Sequence, residues 1–459
     1  MGLSGLWRIG RSAPFADLTL AADSQTACWY KAARLAGLLR PRWRRPRPLP
    51  DSLSSPPGIS LVIPSRNGRE LLAAQMPGIV RDLAPFAHEI LIEDNGSHDG
   101  TETWLRAEWP QAQAEVCSAP LSFASAVNRG IRRARYSHVC LLNNDMLLES
   151  GFFSALWQAF ERVPDLFCAT AQIRFPPGAR REETGKAVMR YISPVDFPIR
   201  CDEPLAGEDL SYVLYGSGGC SLYNARLLRR LGGIDEAYAP VYVEDLDIGY
   251  RAWQRGWPTV YVAGAVVEHR HRATSSRYFT EEQLERILEI NYLRFLARAV
   301  SSGPVFRKLW KQALIRLLLR APRSVAARKT LRNAVGIALA GGPAAGRVGS
   351  EEMLLALTNG SVAVFPGIAE IRKPLRLIAA PLTDIPSATD GSQIVVTWVD
   401  KLAPPPPEAL ARCVELVMVE GHEDSLSFRA AHAQTAEKWN PRRVPPDGSR
   451  GSQLSGPAS

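Results

Sequence analysis

Four short clusters carry the side chains that could do chemistry. Asn143-Asn-Asp145 follows the apolar run His138-Val-Cys-Leu-Leu and sets one carboxylate beside two amides. Such a cluster is a common turn former. It also suits a second role, because magnesium and manganese take a few oxygen ligands from protein and the rest from phosphate and water, so Asp145 alone can tie a cation to a diphosphate. Glu244-Asp-Leu-Asp247 has two readings as well. Acidic residues stabilise the first turn of a helix, and Asp247 can pair with Arg251 on the helix surface. In the other reading Asp245, kept ionised by the helix N-terminus, is a general base that takes the proton from an attacking hydroxyl. His269-Arg-His271 closes a β-branched run. Histidines one residue apart share a face of an ideal strand, but where the strand ends between them only one reaches a given site. Neutral imidazole is a common metal ligand, and His269 is the favoured ligand with His271 in reserve. Asp94 lies in the turn-forming Glu93-Asp-Asn-Gly-Ser-His-Asp-Gly-Thr101 and could accept a hydrogen bond from a nucleobase imide. Asp99 reads as a cap for the next helix.

These groups need a scaffold, and the chain predicts one. Short apolar runs at Ile59–Pro64, Glu89–Asp94, Ala114–Ser118 and His138–Leu142 alternate with helical stretches at Arg69–Leu83, Thr101–Trp109 and Ser122–Arg135. That alternation predicts an α/β fold with a mostly parallel sheet and right-handed crossovers. Ligands of such sheets bind beyond the carboxyl ends of the strands. Ser65-Arg-Asn67, Asp94-Asn95 and Asn143-Asn-Asp145 each fall just after a different strand, so three strands deliver polar groups to one edge. From Gly151 to Ile199 the pattern loosens, with a loop at Pro176-Pro-Gly178. Order returns with helices at Asn224–Leu231 and Glu244–Arg255, a strand at Thr259–His269, and an amphipathic helix over Thr280–Ala299 capped by Thr280. In Val305–Arg320 the stripe Trp310, Leu314, Leu317 and Leu318 is ringed by Arg307, Lys308, Lys311 and Arg316. Such a helix either lies on an anionic membrane surface or packs its apolar face on the protein.

At 459 residues, two or more folding units are expected, and 46% apolar with 22% charged residues is ordinary globular composition. No apolar run reaches the length of a membrane-spanning helix, and the N-terminus lacks the apolar stretch of a secretory signal, which reads as cytoplasmic. Seven cysteines, scattered without CxxC spacing, form neither a disulfide framework nor a zinc site. The net charge of +9 gathers at Arg40–Arg47 and Arg307–Arg332. Nucleic-acid binding is set aside, since only Trp43 accompanies the charge as a stacking aromatic.

Seven segments in order resemble the family 2 inverting glycosyltransferases of the GT-A fold. They are ISLVIPSRNG (59–68), ILIEDNGSHDGT (90–101), FASAVNRGIRRAR (123–135), VCLLNNDMLLE (139–149), GSGGCSLYNARLLRRLGGIDEAY (216–238), YVEDLDIGYRAWQRGW (242–257) and VVEHRHRATSS (266–276). The subgroup looks most like rhamnosyl- and galactofuranosyl-type transferases of cell-surface polysaccharide synthesis. The resemblance implies that Pro64, Ser65, Asn67 and Asp94 hold the nucleoside. It puts Asn144 and Asp145 in place of the family's metal-binding Asp-X-Asp, Asp245 of the pair Glu244-Asp245 as the base, and His269 as a further ligand of Mg2+ or Mn2+. The departure to Asn-Asn-Asp leaves fewer carboxylates for the cation. The donor implied is a nucleotide sugar and the acceptor a saccharide or lipid-linked saccharide. The alternative is a catalytically silent module that binds nucleotide sugar.

The expected organisation is an N-terminal extension and Pro/Arg-rich linker (1–58), the GT-A domain (59–300), a basic amphipathic helical region (301–345), a partial segment (346–440) and a disordered tail (441–459). The partial segment, with Lys373–Pro381 and Val414–Val419, resembles the opening strands of a GT-B-type glycosyltransferase and is expected to be a truncated remnant. The enzyme is expected in the cytoplasm, with peripheral contact at the inner membrane face.

Overall fold

The structure is a computed structural model. It describes residues 24–43, 55–163, 166–176, 184–189, 191, 193–204, 209–255, 257–270, 278–343, 351 and 355, and the backbone of four strands between 362 and 420. Residues 1–23, most of the Arg40–Arg47 cluster, His271 and the expected tail at 441–459 lie outside the described residues.

In chain order come α1 (Ser24–Leu38), β1 (Arg42–Trp43), β2 (Ile59–Ser65), α2 (Arg69–Leu83), β3 (His88–Asp94), α3 (Thr101–Glu108), β4 (Ala112–Val116), α4 (Phe123–Arg133), β5 (His138–Leu142) and β6 (Met146–Leu148). Then follow α5 (Phe152–Arg162), β7 (Cys168–Arg174), β8 (Ala187–Met189), β9 (Ile199–Cys201), β10 (Cys220–Asn224), α6 (Ala225–Arg230), α7 (Glu244–Trp253) and β11 (Thr259–His269). The chain continues with α8 (Glu281–Arg298), α9 (Gly303–Arg320), α10 (Val325–Ala340) and β12 (Gly342–Pro343).

The central sheet has the order β4-β3-β2-β5-β10-β7-β11-β6. Its β4, β3, β2 and β5 are mutually parallel, as are β7 and β11, whereas β10 and β6 run antiparallel to their neighbours. This is the expected α/β architecture. Strands β2, β3 and β5 are buried almost throughout, which is why they read as unbroken apolar runs rather than alternating ones. Helix α4 starts at Ser122, whose hydroxyl accepts the Ser125 N–H, and it lies so close to the sheet that a Cβ at Gly130 would overlap Val62.

The stretch expected to be loose, 151–199, holds α5 and β7. Helix α5 buries Phe152, Phe153, Leu156 and Ala159 along one face. Strand β7, Cys-Ala-Thr-Ala-Gln-Ile-Arg, is poor in β-branched residues and owes its place to its partners β10 and β11 rather than to propensity.

A second compact unit includes the described residues 24–43, 191, 193–198 and 278–343. Here α8 packs on α9 and α10, and α1 packs on the same two. The predicted threonine cap holds: Thr280 and Gln283 form a reciprocal capping box. The stripe on α9 is covered, with Leu309, Trp310, Ala313, Leu314 and Leu317 buried and Trp310 Nε1 donating to the Ala33 carbonyl at 3.0 Å. Of the two alternatives for that stripe, packing on the protein is the one observed. Arg316, expected on the charged rim, is fully buried and donates to both Glu289 oxygens, at 3.1 and 2.6 Å, because a guanidinium cannot be stranded in the interior unpaired.

Strands β13 (Val362–Pro366), β14 (Arg376–Pro381), β15 (Gln393–Val399) and β16 (Glu415–Glu420) form a separate sheet of order β13-β16-β15-β14, parallel except at β13–β16. Two of them, β14 and β16, overlap Lys373–Pro381 and Val414–Val419. No helix among the described residues is long and apolar enough to cross a membrane.

Candidate active site

Beyond β5 the chain turns through Asn143-Asn-Asp145 into β6. The turn is held from three sides. Gln75, buried on α2, donates through Nε2 to the carbonyls of Asn143 and Met146 at 2.7 and 2.6 Å. The Asn143 N–H donates to the Gly219 carbonyl at 2.8 Å, and the Arg270 N–H donates to that of Asp145 at 2.9 Å. Pairing of β6 with β11 sets His269 opposite Met146, which brings His269 Nε2 to 3.5 Å from Asp145 Oδ2.

Asp145 Oδ1 is buried and accepts no hydrogen bond. A buried carboxylate oxygen left this way is unfavourable by a few kcal/mol, about 1–3 or more for a charged group, unless a cation meets it. One carboxylate oxygen and one imidazole nitrogen fit a hard divalent ion that completes its shell with phosphate and water. Among the described residues no group of three or more His, Cys, Asp or Glu gathers around a point. His271 lies outside the described residues.

Asp245 stands at the start of α7. Tyr242 and Val243 just before it have φ of +75° and +78°, a left-handed conformation that an aromatic and a β-branched residue adopt only under constraint. That reversal makes Glu244 and Asp245 the first helical residues. Asp245 is half-buried. Its Oδ1 accepts the Leu246 N–H at 2.8 Å and its Oδ2 the Gly218 N–H at 3.4 Å. Burial raises its carboxyl above the usual aspartate value, and these N–H donors oppose the rise. Glu244 is buried beside it, with Oε2 accepting no hydrogen bond; burial first, and then the Asp245 charge, push its carboxyl up.

Asp247 is a correction. Its pairing with Arg251 occurs in the interior, not on the helix surface. Arg251 Nε meets Asp247 Oδ2 at 2.5 Å, the Tyr238 hydroxyl donates to Oδ1 at 3.0 Å, and Arg251 also donates to the carbonyls of Leu231 and Gly233. A charge pair this deep is tolerated because every arm of the guanidinium is satisfied.

The two halves meet at Gly216-Ser-Gly-Gly219. Gly219 takes the Asn143 N–H, and Gly218 donates to Asp245. A Cβ at Gly219 would lie 2.5 Å from Asn143 Nδ2. The turn that carries Asp145 and the helix start that carries Asp245 are thus joined through one short segment.

The remaining candidates line the neighbouring strand ends. Ser65 and Asp94 are register partners across β2 and β3, and Asn144 Nδ2 donates to Ser65 Oγ at 2.9 Å. Pro64 precedes Ser65 on β2. Asn67, with φ of +47°, donates its N–H to Ser97 Oγ and accepts the His98 N–H, both at 2.8 Å. Asp94 is 1% exposed and Oδ1 accepts the Ser97 N–H at 3.0 Å, so part of its carboxylate secures its own turn. The N-cap of α3 is Gly100 rather than the expected Asp99, which stands one residue earlier, accepts the N–H of Thr101, and also accepts the Arg69 N–H at the start of α2.

Two residues escaped the sequence reading. One is Gln75. The other is Asn128, whose Nδ2 donates to the Ile234 carbonyl at 2.8 Å and to Glu236 at 2.9 Å, while Oδ1 accepts the Ile234 N–H at 3.0 Å. It thereby fixes the loop leading to α7. The signal in each case is an amide side chain at a helix position where the periodicity calls for an apolar one, beside Met76 and Val127 respectively.

The profile described as "Glycosyltransferase like family 2" matches residues 56–286. The N-acetylglucosaminyl-diphospho-decaprenol L-rhamnosyltransferase of Mycobacterium tuberculosis is 26% identical over 268 residues, covering 54% of this chain and 84% of that relative. The validoxylamine A glucosyltransferase of Streptomyces hygroscopicus subsp. limoneus is 25% identical over 249 residues, covering 50% and 55% respectively. A solved mannosyltransferase of Pyrobaculum calidifontis, in complex with GDP-Man and Mn2+, aligns with a TM-score of 0.40 at 17% identity, over 71% of this chain and 84% of that one. The profile takes in half the chain and all of the clusters just described, and the chain is a member of glycosyltransferase-like family 2.

Proposed function

We propose that this glycosyltransferase moves a sugar from a nucleoside diphosphate to a hydroxyl of a saccharide or lipid-linked saccharide, with inversion, in cell-surface polysaccharide synthesis at the inner face of the membrane. The observation that supports the reading is that His269 meets Asp145 while one segment, Gly218-Gly219, bonds both the turn that carries Asp145, through the Asn143 N–H, and Asp245. The rhamnosyltransferase relative, named for a lipid-linked N-acetylglucosamine acceptor, supports the acceptor class.

In this proposal Asp245 accepts the acceptor hydroxyl proton while that oxygen bonds to the anomeric carbon and the carbon–oxygen bond to the diphosphate breaks. The raised carboxyl makes Asp245 a stronger base, and the Leu246 and Gly218 N–H groups aim it. Asp145 and His269 would hold Mg2+ or Mn2+, which when bound offsets charge on the departing diphosphate. Pro64, Ser65, Asn67, Asp94 and Asn144 would bind the nucleoside, and Glu244 would sit behind Asp245 as a largely neutral carboxyl.

A melting-temperature screen of the full chain against nucleotide sugars with manganese tests donor binding, since a ligand at a hundred times its Kd stabilises by about 2.7 kcal/mol. At least one nucleotide sugar is expected to raise the melting temperature. No response to any of them would refute the reading. Binding without transfer to any saccharide acceptor would leave the silent binding module instead.

A further inference from the structure

Helices α1 and α10 pack on each other. Each leads into one member of the parallel pairing β1–β12, in the register Arg42 to Gly342 and Trp43 to Pro343, and the Gly342 N–H donates to the Pro41 carbonyl at 3.3 Å. The register sets the carboxyl ends of the two helices level. At that shared end four leucines face solvent: Leu35 at 61%, Leu38 at 66%, Leu39 at 66% and Leu339 at 48% exposed. Leu35, Leu38 and Leu39 are spaced i, i+3, i+4 and so share one face. The opposite face of α1, with Tyr30, Ala33 and Ala36, is the one that packs.

The two helices carry charge of one sign. Among the described residues, 24–43 contain four Lys or Arg and no Asp or Glu, and 299–343 contain nine and none. Some are used internally: Arg40 donates to the Leu296 and Val300 carbonyls and stacks on Phe306, and Arg316 meets Glu289. Lys31 and Arg34 on α1, and Lys329 and Arg332 on α10, are exposed. Exposed leucines at the carboxyl ends of two helices that themselves carry exposed cations and no acid match the boundary of an anionic bilayer, where apolar side chains enter and cations meet headgroups. A second copy of the same face would set like charge against like. A nucleic acid would have no use for the leucines.

We infer that the shared end of α1 and α10, through Leu35, Leu38, Leu39 and Leu339, is a docking surface for an anionic phospholipid membrane. This surface differs from the α9 stripe, which is covered. It is also independent of which sugar is transferred.

Co-sedimentation of the full chain with phosphatidylglycerol–phosphatidylcholine vesicles, against phosphatidylcholine alone, tests it. The wild type is expected to pellet with the anionic vesicles only. Replacing the four leucines by serine is expected to lower partitioning roughly tenfold or more, from the apolar area withheld from the bilayer, with the donor-induced rise in melting temperature unchanged. Should that variant fail to fold, Lys31→Glu/Arg34→Glu/Lys329→Glu/Arg332→Glu, which keeps the leucines, is expected to lose anionic-vesicle binding as well. The inference is overturned by a wild type that ignores both vesicles, or by a folded leucine variant that binds as the wild type does. It is also overturned by a wild-type dimer that the leucine variant dissociates.

Discussion

Gln75→Leu offers a sharp test of how the Asn143-Asn-Asp145 turn is held. The wild-type amide makes two hydrogen bonds, to the carbonyls of Asn143 and Met146, from a side chain that is 2% exposed. Leucine fills a similar volume but donates nothing, so both carbonyls lose their donor in a dry setting. Each stranded group is unfavourable by about 1–3 kcal/mol, which gives roughly 2–4 kcal/mol once some relaxation is allowed. At about 2–4 °C per kcal/mol for a domain of this size, the melting temperature should fall by roughly 4–16 °C, followed by differential scanning calorimetry. Arg81→Ala on the exposed side of the same helix is the control, with a change within about 0.5 kcal/mol. Because the turn carries Asp145, the manganese concentration for half-maximal transfer should also rise in Gln75→Leu. A melting temperature equal to that of the control would refute the reasoning.

Other consequences concern protons and packing. Asp245 must be ionised to act as base, and its carboxyl is raised by burial to about 6, so transfer should decline as pH falls through that value rather than near 4, read from the pH dependence of kcat/KM. Glu244 holds its proton more tightly folded than unfolded; its contribution to stability is therefore present at low pH and lost as pH climbs from the ordinary 4.5 through about 8. Glu244→Gln should flatten that decline in a melting-temperature series across pH. Gly130→Ala, a change that stabilises many helices, should lower the melting temperature here, because the added Cβ meets Val62.

Much of this was legible in the chain itself. Buried parallel strands such as Leu61-Val-Ile and Leu141-Leu142 announce themselves as apolar runs, and the polar clusters fall where such strands end. Thr280 with Gln283 and Ser122 with Ser125 are local caps, so they can be read without the fold. Strand β7 could not be read, since its place comes from β10 and β11 rather than from its own residues. Nor could the burial of Arg316 or of the Asp247–Arg251 pair, because a charge at helical spacing looks the same whether its partner is water or a distant carboxylate. At the site, residue types pointed to Asp145, His269 and Asp245. The supports that aim them, Gln75, Asn128 and the Gly218–Gly219 backbone, act across long sequence separations.

The central claim is that Asp245 performs proton transfer at a donor site built on Asp145 and His269. Paired measurements on Asp245→Asn, sugar transfer beside donor affinity by calorimetry with manganese, test it most directly. Transfer is expected to fall by about 10²–10⁴-fold, the range for loss of a general base, while donor affinity stays within about threefold, a difference of roughly 0.6 kcal/mol. An Asp245→Asn enzyme that transfers sugar at the wild-type rate, or one whose loss follows entirely from failure to bind donor, would contradict it.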